Sequence, residues 1–140
     1  MDTRTLGKRI VIGTGILAAF SVWASAAPKP IAQPSPAFLA RVYAGLNTAY
    51  WQGRLPTSTI VSFGASGRED AMAYTTRDRA GVFHITLDWE CNKLPNVARL
   101  TLFHEMSHIA TWDREFNPHG KYWRAEMHRL ADAGAFDEIW

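Results

Sequence analysis

Residues 82–88, "VFHITLD", alternate between apolar and polar positions from Phe83 onward, with Val82 on the largely polar side. Phe83, Ile85 and Leu87 fall on one side, and His84, Thr86 and Asp88 on the other, the two-residue period of a half-buried strand. Two shorter runs precede it. "TIVSF" (59–63) is β-branched and apolar, and "AMAYTT" (71–76) is a weaker strand of the same kind. Turn-like stretches, "GASGRED" and "RDRAG", separate the three. Short turns between successive strands predict an antiparallel sheet.

Helical periodicity flanks this block on both sides. Ser35 followed by Pro36 is a helix start, a hydroxyl cap before proline in the first turn. After it Phe38, Val42, Leu46 and Ala49 recur at helical spacing, predicting a helix over 36–51 that ends at "QGRLPTS". Asn96 is placed to cap a second helix running to Thr111, and "HGKYWRAEMHRLADAG" (119–134) reads as a third, with Gly134 just past its end. The predicted order is helix, three strands, helix, helix, and the class is α+β.

The second helix breaks the usual pattern. Leu100, Leu102, Phe103, Met106, Ile109 and Ala110 make it apolar nearly all round, so it belongs in the core. Yet it carries His104, Glu105 and His108 in "HEMSH". Such groups are costly to bury unless paired or bound to a metal ion. Histidines four residues apart project side by side from one face of a helix, close enough to share an ion. Glu105 is turned about 100° from His104, beside the ion, where a general base for water belongs.

A zinc site of this kind takes three protein ligands. The metzincin arrangement is excluded, because Thr111 and Arg114 stand where glycine and histidine are required. Glu126 would make a glutamate-ligand version. His119 in "NPHGKYW" is the better placed candidate, with Pro118 stiffening its approach and Gly120 leaving room for backbone next to the metal. His128 lies nine residues on, facing away from His119, and His84 sits on the polar side of a strand. Glu126 shares a helix face with His119 and can instead orient a ligand. Tyr122 and Tyr74 are candidates to donate to an oxyanion.

Composition narrows the setting. The chain of 140 residues is 47% hydrophobic and 20% charged, an ordinary balance for one globular domain. Its start is not ordinary. "MDTRTLGKR" is basic, "IVIGTGILAAFSVWASAA" is uncharged, and Ala24-Ser25-Ala26 is a small-x-small exit. Residues 1–26 thus read as a signal peptide, or as a membrane anchor through residues 10–27 if uncleaved. "APKPIAQPSP", with four prolines, makes 27–35 a linker before a domain over 36–140. The first 26 residues hold three of the 15 basic and one of the 13 acidic residues, leaving 12 of each and no net charge. That balance lends nucleic-acid binding no support. Cys91 is alone, which excludes an intramolecular disulfide and a cysteine zinc ribbon within these residues and reads as a small core residue.

"HEMSH", ten residues, then "HG" and an aromatic at Trp123 resembles the SprT-like zinc metallopeptidase domain. "LNTAYWQGRLPTSTIVSF" is similar to that family's opening helix, turn and first strand, and "HITLDWE" to the strand and loop before its active-site helix. The resemblance covers roughly residues 38 to 131. It implies a minimal zincin-like fold: an N-terminal helix, a small three-stranded antiparallel sheet, an active-site helix and a C-terminal helix. It implies one Zn2+ per chain held by His104, His108 and His119, with Glu105 as general base. The expectation is an exported, periplasmic or secreted, metalloendopeptidase acting on a peptide or protein substrate. The alternatives are a non-catalytic zinc-containing binding module of the same fold and a DNA-associated protease of the SprT type.

Overall fold

The computed structural model describes residues 31–65 and 71–139. The expected signal segment, residues 27–30 of the linker and most of the turn after the first strand lie outside them. Residues 31–35 have no regular secondary structure. The elements follow as α1 (Pro36–Trp51), β1 (Ile60–Gly64), β2 (Ala73–Arg77), β3 (Phe83–Asp88), α2 (Pro95–Thr111) and α3 (Lys121–Asp132). The class is α+β, in the order that the periodicity predicts.

The sheet is not purely antiparallel. Its order is β1-β3-β2, with β3 antiparallel to β2 but parallel to β1. β1 and β2 do run in opposite directions. They are not neighbours, however, because β3 inserts between them. β3 is the strand with full alternation, burying Phe83, Ile85 and Leu87, and the central position is where such a strand excludes most apolar surface from water. β2 is left as an edge.

α1 starts as expected. Ser35 accepts a hydrogen bond from the Phe38 amide at 3.2 Å, and Pro36 occupies the first turn. Its buried stripe is rotated from the predicted one: Leu39, Tyr43, Leu46, Asn47 and Trp51 face inward, while Phe38 and Ala49 are exposed. Asn47 explains the shift. Its amide nitrogen donates to the Leu55 carbonyl at 3.0 Å and its oxygen accepts from the Leu55 amide at 3.1 Å. A polar side chain is stable in that stripe because it satisfies backbone groups of the following turn.

α2 runs through the core. Phe103 is fully buried, with Tyr50 and Phe136 edge-on at 5.0 and 5.5 Å between ring centroids. The buried hydroxyls of Ser107 and Thr111 bond back to the carbonyls one turn earlier, at 2.8 and 2.9 Å. The helix begins one residue before the predicted cap: Leu94 is the N-cap residue, with Pro95 in the first turn, and Asn96 lies inside the helix. α3 ends as predicted at Gly134, with φ of 75°. The Ala135 amide donates to Leu130 and the Gly134 amide to Ala131, the paired bonds of a Schellman turn. Cys91 is exposed in the turn after β3, not a core residue. Among the described residues no helix is long and apolar enough to cross a membrane.

One polar contact ties the first helix to the last. The Trp51 indole N–H donates to Glu126 at 2.6 Å, and Arg129 pairs with the same carboxylate at 2.7 Å. Burial opposes the charge on Glu126, but Arg129, Trp51 and Arg54 outweigh it and hold the carboxyl below its usual range. A depressed carboxyl stabilises the fold above its unfolded pKa and loses that contribution as pH falls through the folded value. Glu126→Ala should therefore lower unfolding stability by about 1–3 kcal/mol at pH 7, measured by urea denaturation. The difference from wild type should shrink as pH is taken below about 4.5.

Candidate metal centre

α2 presents His104 and His108 one turn apart, as their spacing requires, with ring centroids 4.9 Å apart. The loop after α2 brings His119 back to them. Its ring lies 5.0 Å from each of the other two, and the His119 and His104 Nε2 atoms are 3.1 Å apart. One ligand nitrogen from each of the three falls within 4.8 Å of the others, a grouping that could hold a metal ion. Two imidazole nitrogens so close must share a proton or a cation between them.

The surroundings keep two of the rings neutral. Burial first, and His119 second, push the His104 imidazole down to about 4. Burial, then His104 and His119, do the same for His108, against the opposing effect of its hydrogen bond to the Pro118 backbone. Near neutral pH both rings thus keep their lone pairs free, the state in which imidazole ligates. The Pro118 bond also orients the His108 ring, as partners behind metal ligands commonly do.

Trp123 is the floor of the cluster. Its ring is 4.7 Å from His104, 4.7 Å from His119 and 5.6 Å from His108, nearly parallel to the last. Its indole N–H reaches the His104 carbonyl at 3.4 Å. The sequence marks Trp123 only as an aromatic after "HG"; its contact with all three histidines needs α3 folded against α2.

Glu105 is buried in the same cleft, and burial pushes its carboxyl above the usual range. The Thr75 hydroxyl of edge strand β2 donates to its Oε2 at 2.6 Å, which pulls the other way. Thr75 carries no sequence signal of a role, since only the packing of β2 on α2 brings the two together. The cleft has a volume of about 420 Å³. β2 forms one wall, the three histidines and Glu105 the base, and Trp112 and Phe116 part of the rim.

The other candidates are placed elsewhere. Tyr74 lines the cleft, but the Tyr122 ring is taken up by Arg114 and Lys121, at 5.2 and 4.9 Å. Glu126 engages Trp51 and Arg129, so its carboxylate orients no histidine. His84 pairs with Asp78 at 3.1 Å, and His128 is exposed.

Three histidines converge from a helix and the loop after it, beside a buried glutamate, in an HExxH arrangement that could hold a metal ion. The chain matches the SprT-like family over residues 39–138 and belongs to that family. A comparison with curated proteins gives no match.

The depressed imidazoles carry a stability consequence. Between pH 6.5 and about 4 the unfolded chain binds protons that folded His104 and His108 refuse, so metal-free stability falls as pH falls through that window. Glu105, shifted upward, works in the opposite sense above pH 4.5. With chelator present, the thermal midpoint should drop from pH 6.5 towards 4. The drop should steepen in Glu105→Gln and flatten when His104 and His108 are both changed to Gln, read by circular dichroism melts.

Proposed function

We propose that the chain is a zinc-dependent endopeptidase. The observation that carries this reading is the placement of His104, His108 and His119 around one point, with the Glu105 carboxylate in the same cleft. Nitrogens bound to a tetrahedral zinc at about 2.0–2.1 Å stand about 3.3 Å apart, and the 3.1 Å between His104 and His119 fits that geometry. Three histidines are also a donor set that catalytic zinc takes, leaving a position open.

Zinc in such a site acts as a Lewis acid that acidifies water and polarises a carbonyl. Glu105 supplies the proton transfers. It takes a proton from the water whose oxygen attacks the scissile carbonyl carbon, and delivers it to the amine as the C–N bond breaks. Its upward shift suits it to hold that proton between the two steps. Thr75 holds one carboxylate oxygen, leaving the other for the water. β2 offers the backbone of an edge strand along the cleft, so an extended peptide can pair with it and lie across the base. Tyr74 is the tyrosine on that wall. The charge balance after residue 26 supports a peptide substrate over a nucleic-acid-directed one. Residues 1–26 support export, and a tagged chain should fractionate outside the cytoplasm only while it retains them.

One equivalent of zinc should bind per chain by metal analysis. Glu105→Gln should retain it and lose peptide hydrolysis by about 10²–10⁴-fold. His119→Ala should lose both metal and activity. Hydrolysis of a peptide library by Glu105→Gln at the wild-type rate would overturn the role of Glu105.

A further inference from the structure

The glycine after His119 is not there for its backbone angles. Gly120 has φ of −73° and ψ of −164°, a conformation open to any residue. Nor does the vacant space face the metal ligands. A Cβ on Gly120 would run into the carboxylate of Glu115, meeting both oxygens and the carbon between them. Gly120 is buried, and Glu115 lies over it.

What that carboxylate does there is visible in the start of α3. Gly120 is the N-cap residue, and it has no side chain with which to cap. The helix also has no acidic residue in its first turn. Glu115 Oε1 accepts from the Tyr122 amide at 2.8 Å and from the Trp123 amide at 3.2 Å. These are the second and third helical residues, whose N–H groups a serine or aspartate N-cap would bind. The cap has thus been moved five residues upstream, onto the loop between α2 and α3. Its charge sits at the positive end of the helix dipole, where it is stabilising.

The consequence reaches the histidines. His119 immediately precedes the capped turn, and Trp123, one of the two capped residues, is the ring on which all three imidazoles pack. We infer that Glu115 is a positioning residue for the metal site: by capping α3 from the loop, it sets where His119 and Trp123 stand against His104 and His108. This rests on reading the three histidines as zinc ligands. It also gives the "HG" pair a physical meaning. The histidine ligates, and the glycine makes room for the carboxylate that positions it.

The test is a set of variants of the full chain, with zinc affinity read by competition with a chromophoric chelator. Capping is read separately, by amide hydrogen exchange of Tyr122 and Trp123 in the metal-free protein. Glu115→Ala should weaken zinc binding about 10–100-fold, the range for partners that orient metal ligands, and should expose both amides to exchange. Glu115→Gln, whose single amide oxygen can take the place of Oε1, should recover most of the affinity. Gly120→Ala should resemble Glu115→Ala because its methyl displaces the carboxylate, and combining the two should cost no more than either alone. Gly120→Ser in the Glu115→Ala background should restore affinity and protection, since the serine hydroxyl can cap from the ordinary position.

Wild-type affinity in Glu115→Ala would overturn the proposal, as would additive losses from Glu115→Ala and Gly120→Ala. Equal losses in Glu115→Ala and Glu115→Gln would overturn it too. Lost amide protection with unchanged zinc affinity would leave a cap without a positioning role, and so overturn it. A wild-type chain that binds no zinc would instead overturn the metal reading itself, whatever the amides show.

Discussion

Burying ionisable groups on the central helix is costly, and most of the fold is arranged around that cost. α2 holds Phe103, Met106 and Leu102 in the core while carrying His104, Glu105 and His108 along the face that meets the cleft. Removal from water pushes both imidazoles down and the carboxyl up, so each group is driven towards its neutral form. A cation shared by the histidines would offset the loss of hydration, and a single hydroxyl from β2 partly offsets it for Glu105. The same desolvation keeps the lone pairs of His104 and His108 free and raises the Glu105 carboxyl above its usual range.

The mixed sheet is what delivers that hydroxyl. Had the three strands paired in sequence order, β2 would have been the middle strand, with neighbours on both sides. With β3 in the centre, β2 becomes an edge. One side of it pairs with β3, and the other borders the cleft, where Thr75 reaches Glu105. One rearrangement of strand order thus supplies both the support for the glutamate and an unpaired strand edge beside the cleft.

The cleft also depends on how α3 is held at its middle and at its start. From its middle, Glu126, braced by Arg129, grips the end of α1 through Trp51. At its start Glu115 takes the first free amides, and Trp123 spreads under the imidazoles. His119 lies between an Asx-type contact from Asn117 and the capped turn, so its backbone is constrained on both sides. A histidine drawn from a loop is thereby given a defined position beside His104 and His108.

Much of this was legible in the amino-acid order. The helices and strands, the buried character of α2 and the side-by-side histidines are written in local periodicity and in i,i+4 spacing, and His119 was marked there as the next candidate. Those signals act over a few residues, where backbone geometry alone decides which side chains share a face. What the order left open is what depends on contacts between distant residues. Strand order was one such case, because β3 competes for the central place by burial and not by turn length. The face of α1 was another, decided by Asn47 bonding to Leu55. The destinations of Glu126 and Tyr122, the exposure of Cys91, and the parts played by Thr75, Trp123 and Glu115 were decided in the same way. Local spacing sets which groups can meet an ion, while packing between elements fixes the partners that orient them, because hydrogen bonds and ring contacts across the core form only once the helices and the sheet have been brought together.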